Sequence, residues 1–307
     1  MPDFMNRLKK FLNICRNVFA VIGVLAVILV ILFFCRKPYF EMDVYPSYLA
    51  RMERYVELLR SSGPFAEDTT TFSMKIIQDT VRAKEIRDYF RLDTLYAPDA
   101  DTWTKALSIG RFVASNITHD NQRVYPEHVN AIGLWEYTRN VAPAFNCRLH
   151  SILTFELLLA AGLDARFVTC LPEDKDDNDC HVVNEVWLPE LGKWAMVDTD
   201  EKYYVSDREG IPLSIREIRE HIISGEKMLL YPSFENGSAR KGEYYAYLAK
   251  NTYWFSCWGE LSYYQEDLGH EDVIRDHYIN LVPPGFEPFS GGNVVTTDAD
   301  RFWSAPR

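Results

Sequence analysis

An uninterrupted apolar run near the N-terminus constrains this chain more than any other feature. It reads VFAVIGVLAVILVILFFC from Val18 to Cys35 and is followed directly by Arg36 and Lys37. As a helix that rises about 1.5 Å per residue, the run spans roughly 27 Å, close to the thickness of a bilayer's hydrocarbon core. The run is longer than a signal-peptide core and lacks a small-residue cleavage site, so it predicts an uncleaved transmembrane anchor.

The charge of the chain divides at the end of this run. The whole chain has 33 Lys+Arg and 44 Asp+Glu, a formal net charge of -11. Residues 1–37 hold six Lys or Arg and one Asp, which gives +5 and leaves -16 for residues 38–307. Neutralising phosphates requires a surplus of Lys and Arg, so this acidic body argues against a nucleic-acid partner.

Basic residues flank the apolar run unequally. Four Lys or Arg lie within fifteen residues before it, and two lie within fifteen residues after it. Because positively charged flanks stay in the cytoplasm, residues 1–17 are expected to be a short cytoplasmic N-terminus. The membrane partner is then the single span over residues 18–35, and residues 38–307 lie outside the cytoplasm, in the periplasm or at the cell surface.

The six cysteines do not form a disulfide scaffold. Cys15 and Cys35 belong to the anchor region, and the other four are spread over the remaining 270 residues. Cys170 and Cys180 flank one polar loop and could pair in an oxidising compartment, but their spacing alone does not predict the bond. A lipid-modified Cys35 is an alternative to the simple anchor, although the two phenylalanines before it make a poor processing site.

Residues 38–307 contain no repeat and no Gly/Ser linker, which indicates one body. We expect a helical N-terminal region over residues 38–101, with helices over 45–61 and 72–91. A core follows over residues 102–205 and begins with a helix to about Ala114. Residues 206–307 are expected to be an aromatic-rich extension packed on the core, because dense aromatics fit a second core layer better than a sugar-stacking surface.

The most informative stretch begins at Asn146. Apolar residues with the 3, 4 spacing of one helix face predict a helix from Cys147 that ends at Gly162. A thiol in the first turn of a helix lies at the positive end of its dipole, where the thiolate is stabilised. A short strand over residues 165–170 and a polar loop follow.

Two further segments predict an antiparallel hairpin: HVVNEVWL, which starts at His181, and KWAMVD, which ends at Asp198. The register set by the short turn between them pairs Trp187 with Trp194. Because side chains alternate along a strand, His181 and Asp198 then lie on the same face as diagonal neighbours. A slip of one residue would separate them. Asp200 would face His181 directly in this register and is the alternative partner.

Taken together, these residues resemble the core of the transglutaminase-like superfamily of papain-like thiol enzymes. The resemblance covers roughly Thr104 to Tyr204, and the segment KALSIGRFVASNITHD is similar to the helix that precedes this core. It implies an α+β fold in which a nucleophile helix packs on an antiparallel sheet. It also implies that Cys147 is the nucleophile, His181 the general base and Asp198 the carboxylate that orients His181.

The neighbours of the expected triad depart from the usual pattern of the superfamily. Asn146 and Phe145 precede Cys147 where a glycine is common, and Val182 follows His181 in place of a small residue. These changes alter the walls of the site but remove no triad group. The backbone N–H of Cys147 is the natural oxyanion donor. The candidates for an additional side-chain donor are Trp103, Gln122 and Trp135.

The expected function is therefore that of a membrane-anchored, extracytoplasmic cysteine enzyme without a cofactor. It would act on amide bonds of peptides or other envelope substrates through a thioester. Hydrolysis is favoured over transamidation because water is abundant. The alternative is a catalytically inactive module that keeps this fold for binding or scaffolding at the cell envelope.

Two metal sites compete with the thiol triad for the same stretch, and neither is favoured. A zinc site would combine Cys147 and His150 with Cys180 and His181, but adjacent residues of a strand point to opposite faces. A calcium loop would need a turn glycine where Asp179 stands, and its last ligand would lie within a strand. The residues with calcium-type spacing are Asp174, Asp176, Asn178 and Glu185. We therefore expect no metal cofactor.

Overall fold

The computed structural model describes residues 2–35, 46–234, 241–267, 278–289 and 294–306. Helix α1 (Pro2–Cys35) contains the whole apolar run. Over Lys9–Leu32 its mean hydropathy is 2.6 and none of it is buried. Its length and composition are sufficient for it to cross a membrane. A signal sequence near an N-terminus meets the same two criteria. Residues 38–45, with which the predicted helical region over 38–101 begins, lie outside the described residues.

The first half of the body is mainly helical. The predicted helix over 45–61 is confirmed, and so is the helix that begins the core. The predicted helix over 72–91 is wrong in its first part, because residues 75–76 form a short strand and the helix starts only after Asp79. The elements are α2 (Pro46–Ser61), β1 (Lys75–Ile76), α3 (Thr80–Phe90), α4 (Thr102–Asn116), β2 (Thr118–His119), α5 (Ala131–Asn140), β3 (Ala144–Phe145) and α6 (Cys147–Ala160).

The second half of the body supplies the main sheet, whose six strands run in the order β12-β11-β9-β4-β5-β6. All neighbours in it are antiparallel except β11 and β12. The elements are β4 (Ala165–Leu171), β5 (His181–Leu188), β6 (Lys193–Val197), β7 (Tyr203–Ser206), α7 (Ile215–Ser224), β8 (Leu229–Pro232), α8 (Lys241–Asn251), β9 (Trp254–Trp258), β10 (Glu260–Leu261), β11 (Tyr278–Leu281), β12 (Val294–Thr296) and α9 (Ala299–Phe302). The predicted α+β class is confirmed, and three strands that follow residue 206 belong to the same sheet as the hairpin.

The hairpin has the predicted register. Trp187 is opposite Trp194, and Asn184 is opposite Val197. The N-terminal end of β5 and the C-terminal end of β6 therefore lie at the same end of the sheet, because the two strands are antiparallel.

Helix α6 packs on β4 and β5 and is surrounded by α3, α4 and α5. Asn146 caps it by accepting a hydrogen bond from the N–H of Leu149. Every residue from Leu149 to Ala160 is buried, so the helix is enclosed on all sides and not only along the predicted apolar face. Its polar groups bond to β5, since the Ser151 hydroxyl donates to the Val182 carbonyl at 2.8 Å. This bond holds the first half of α6 against the start of β5.

Candidate active site

His181 and Asp198 form a buried hydrogen-bonded pair at one end of the sheet. His181 begins β5, Asp198 directly follows β6, and the distance from His181 Nε2 to Asp198 Oδ2 is 2.6 Å. Both residues are 0 % exposed. Burial alone would lower the pKa of His181, but the Asp198 carboxylate and the Cys147 sulfur raise that pKa well above its ordinary value. The imidazolium form is therefore favoured in this environment.

Two donors hold the Asp198 carboxylate in place. The Tyr244 hydroxyl of α8 donates to Oδ2 at 2.8 Å, and the backbone N–H of Glu201 donates to Oδ1 at 3.0 Å. Burial and the charge of Asp198 raise the pKa of Tyr244 well above its ordinary value, so the phenol keeps the proton that it donates. Tyr244 belongs to none of the motifs of the sequence. Its spacing of three from Tyr247, which also contacts the site, is the available signal, because residues three apart share a helix face.

Cys147 is the first residue of α6 and is partly exposed. Its Sγ, a ring nitrogen of His181 and a carboxylate oxygen of Asp200 all lie within 4.8 Å of one another. His181 Nδ1 is buried and has no hydrogen-bond partner among the described residues, whereas Nε2 is bonded to Asp198. Nδ1 is thus the ring nitrogen that remains for Cys147. The structure thus brings together Cys147, His181 and Asp198, the three predicted site residues.

Asp200 lies beside Cys147 but is bonded to two other histidines. His119 Nδ1 lies 2.8 and 2.9 Å from its two carboxylate oxygens, and His150 Nδ1 lies 3.0 Å from Oδ1. Burial would raise the pKa of Asp200, but the hydrogen bond from His150 and the nearby histidine charges lower it. Asp200 is therefore an ionised neighbour of the site, and Asp198 is the hydrogen-bond partner of His181.

The three candidate oxyanion donors lie in different surroundings. Gln122 is next to the nucleophile helix, because its Oε1 accepts a hydrogen bond from the backbone N–H of Asn146 at 3.1 Å. Trp103 packs edge-on against Tyr204, and Trp135 stacks on Phe112. Of the three side chains, Gln122 is the one bonded to the residue that precedes Cys147.

Helix α8 covers the other side of the histidine. The centre of the Tyr247 ring lies 5.1 Å from that of His181, and the Tyr247 hydroxyl donates to the Cys180 carbonyl at 3.2 Å. Lys250 on the same helix forms ion pairs with Asp177 and Asp179, at 2.9 and 2.6 Å. The acidic loop before β5 is thus held by a lysine at two of its carboxylates.

The remaining cysteines of the body differ from Cys147. Cys170 and Cys180 are both free, so they do not form a disulfide with each other. Burial raises the pKa of Cys170 and of Cys180, and it raises the pKa of Cys257 to about 12. These three thiols are therefore poor nucleophiles near neutral pH.

Residues 82–199 match the family model of the transglutaminase-like superfamily. This part of the chain, which contains the cysteine, the histidine and Asp198, is a transglutaminase-like domain. The match supports a cysteine enzyme of this superfamily. Asp200 lies just beyond the matched residues.

Two solved structures are similar to parts of this chain. One is a candidate cysteine protease from Cytophaga hutchinsonii, 15 % identical with a TM-score of 0.31, and the match covers 40 % of this chain and 39 % of that chain. The other is a candidate protease from Parabacteroides distasonis, 13 % identical with a TM-score of 0.27, and it covers 50 % of this chain and 26 % of that chain. The matches thus span well under two thirds of either protein. A search of curated proteins gave no match.

Proposed function

We propose that this protein is a membrane-anchored cysteine hydrolase that cleaves amide bonds outside the cytoplasm, with Cys147 as nucleophile, His181 as acid and base, and Asp198 as the orienting carboxylate. One observation carries the proposal. The thiol that opens α6 lies beside a buried histidine whose Nε2 is held 2.6 Å from a buried carboxylate. That is the nucleophile, base and orienting group which acyl transfer requires.

The first half of the reaction forms a thioester. The Cys147 thiolate attacks the carbonyl carbon of the substrate, the C–N bond breaks, and His181 gives its Nδ1 proton to the leaving amine. The raised pKa of His181 supports this assignment, because an imidazolium is the proton donor that this step needs. Asp198 keeps the ring oriented and stabilises its charge, while Tyr244 and the N–H of Glu201 keep Asp198 in place.

The second half releases the acid. Water attacks the thioester carbon, His181 Nδ1 takes the proton of the water, the C–S bond breaks, and Cys147 returns to the thiolate. An amine in place of water would give transamidation by the same steps. We propose hydrolysis as the main reaction because water is always present at high concentration.

Negative charge on the substrate oxygen requires donors in both halves. We propose the backbone N–H of Cys147, since the first N–H groups of a helix have no acceptor within it. We add the side-chain amide of Gln122, because its bond to Asn146 holds it next to the nucleophile. A donor of this kind supports only the acyl-transfer steps and does not affect alkylation of the thiol.

The location outside the cytoplasm is supported by two features of the sequence. Helix α1 is long and apolar enough to cross a membrane, and basic residues are more frequent before its apolar run than after it. On this topology the substrates are peptides or other amides of the cell envelope.

Trapping of the acyl-enzyme tests the proposal. The full chain in detergent would be mixed with pools of envelope peptides, quenched in acid and analysed by intact-protein mass spectrometry and peptide mapping. We expect an acyl adduct on Cys147 and a shortened peptide in the supernatant, both absent in Cys147→Ala and retained in the matched Cys180→Ser control. Addition of a primary amine then measures the partition between hydrolysis and transamidation. Peptide cleavage that persists in Cys147→Ala would refute the proposal.

A further inference from the structure

We propose that Cys147, His181 and Asp200 form a binding site for a soft divalent cation, with Zn²⁺ as the representative ion, and that the bound cation inhibits the enzyme by occupying its nucleophile. The inhibition rests on the function proposed above, whereas the binding does not. The cation is an inhibitor in this proposal and not a cofactor.

The three side chains offer one sulfur, one nitrogen and one oxygen ligand, all within 4.8 Å of one another. Zinc accepts each of these ligand types, at distances of about 2.3 Å for sulfur and about 2.0–2.2 Å for nitrogen and oxygen. Around a tetrahedral ion, such ligand atoms lie roughly 3.3–3.7 Å apart. The ligand atoms must therefore move closer to one another by about 1 Å. Cys147 can make this adjustment because it is partly exposed at the start of its helix.

The nitrogen ligand is already prepared for a metal. His181 Nε2 is bonded to Asp198, while Nδ1 is fully buried and has no hydrogen-bond partner among the described residues. When the metal ion replaces the proton on Nδ1, Nε2 still donates its hydrogen to Asp198, and the Nδ1 lone pair binds the metal. A carboxylate behind a histidine is the usual arrangement around zinc, because it fixes the ring and increases its basicity.

The position of Asp200 is the second reason for the proposal. This carboxylate is not the hydrogen-bond partner of His181, and it lies beside the proposed thiolate in a buried site that also contains Asp198. One of the Asp200 carboxylate oxygens lies within 4.8 Å of both the Cys147 sulfur and a His181 ring nitrogen, so it can complete the ligand set. His119 and His150 donate to the Asp200 carboxylate and hold it toward the site, as the hydrogen-bond partners of a metal ligand do.

The site differs from the zinc site that the sequence suggests. Cys180 is not needed, and His150 bonds to Asp200 through Nδ1 and so supports a ligand without being one. Starting from the thiolate and imidazolium, binding replaces the proton on His181 Nδ1 with the metal ion and releases one proton. No electron is transferred. Once sulfur is bound to the metal, its lone pair can no longer attack a carbonyl carbon.

The experiment titrates Zn²⁺ into the full chain in detergent, in competition with a chromophoric chelator, and repeats the titration with Co²⁺ to record the thiolate-to-cobalt absorption band. We expect one ion per chain and a cobalt band that is absent in Cys147→Ala. Asp200→Asn should weaken Zn²⁺ binding by at least about tenfold. That is the smallest loss of metal affinity that is typical when a group near a bound metal ion is replaced. The matched control Cys180→Ser should bind like the wild type.

Binding that is equal in Cys147→Ala, or that is lost in Cys180→Ser, would overturn the proposal. If Asp200→Asn does not fold, the Cys147→Ala comparison decides, because that residue is partly exposed. Selective alkylation of metal-free Cys147 tests the proposed function separately. Zinc binding without that reactivity would refute the function and leave the site, whereas reactivity without zinc binding would refute the site alone.

Discussion

Arg166 on β4 and Glu185 on β5 form an ion pair at 2.7 Å that is fully buried. Glu185 also accepts hydrogen bonds from the N–H of Ile215 and from the indole of Trp303, and Arg166 donates to the carbonyl of Phe302. The pair therefore links the hairpin strand that carries His181 to α7 and to the C-terminal helix. Phe302 and Trp303 thus help to hold in place the two strands next to the site.

The first prediction concerns this pair. Glu185→Gln leaves Arg166 as a buried charge without its carboxylate, so we expect a loss of about 3–5 kcal/mol in the free energy of unfolding. Urea titration followed by tryptophan fluorescence measures it. Glu209→Gln, at an exposed position, is the matched control and should change stability by less than about 0.5 kcal/mol. Equal effects of the two changes would show that the buried pair contributes little.

A second prediction follows from the raised pKa of His181. The pKa in the folded state lies above the unfolded value of about 6.5, so the folded state binds the proton more tightly. The stabilisation is therefore fully present below the unfolded pKa and is lost as the pH rises through the folded-state pKa. Free energies of unfolding measured from about pH 6 upward should fall for the wild type. The decline should be smaller in Asp198→Asn, and an equal decline would contradict the assignment to this pair.

A third prediction separates positioning from stability on α8. Tyr244→Phe removes the hydroxyl that donates to Asp198, so it should cost about 1–3 kcal/mol and also slow alkylation of Cys147 at mildly acidic pH. Tyr245→Phe is the matched control, since that buried hydroxyl donates to the backbone carbonyl of Met228. The control should lose stability without a change in thiol reactivity. If both variants alkylate at the same rate, Tyr244 has no positioning role.

A fourth prediction concerns Gln122. If its side-chain amide stabilises the oxyanion, Gln122→Ala should slow acyl transfer to a trapped peptide by about 10²–10³-fold. The rate of iodoacetamide alkylation should be unchanged, because that reaction forms no oxyanion. Separate measurements of the acylation rate and the alkylation rate of the variant test this difference. A variant that slows both reactions equally would place Gln122 in the packing of the helix instead.

The hairpin and the nucleophile helix could be predicted because their signals are local. A short turn fixes the register of the hairpin, and the period of two along a strand then places His181 and Asp198 on one face. The 3, 4 spacing of apolar residues that ends at Gly162 likewise indicates a helix that begins at Cys147.

The parts of the site that could not be predicted depend on distant residues. Tyr244 reaches Asp198 from a helix 46 positions further along the chain, and His119 reaches Asp200 across 81 positions. The prediction of a helix over 72–91 is wrong at β1, because its two residues pair with Glu260 and Leu261 and no local pattern encodes that pairing. Such contacts are decided by packing of the whole chain.

Selective alkylation tests the central claim most directly. The full chain would be treated with iodoacetamide at mildly acidic pH, and the modified cysteines would be counted by peptide mapping over time. Burial raises the pKa values of Cys170, Cys180 and Cys257, so we expect Cys147 to react far faster than these three and to lose this advantage in His181→Ala. Equal and slow alkylation of all four thiols would contradict the claim that Cys147 is an activated nucleophile.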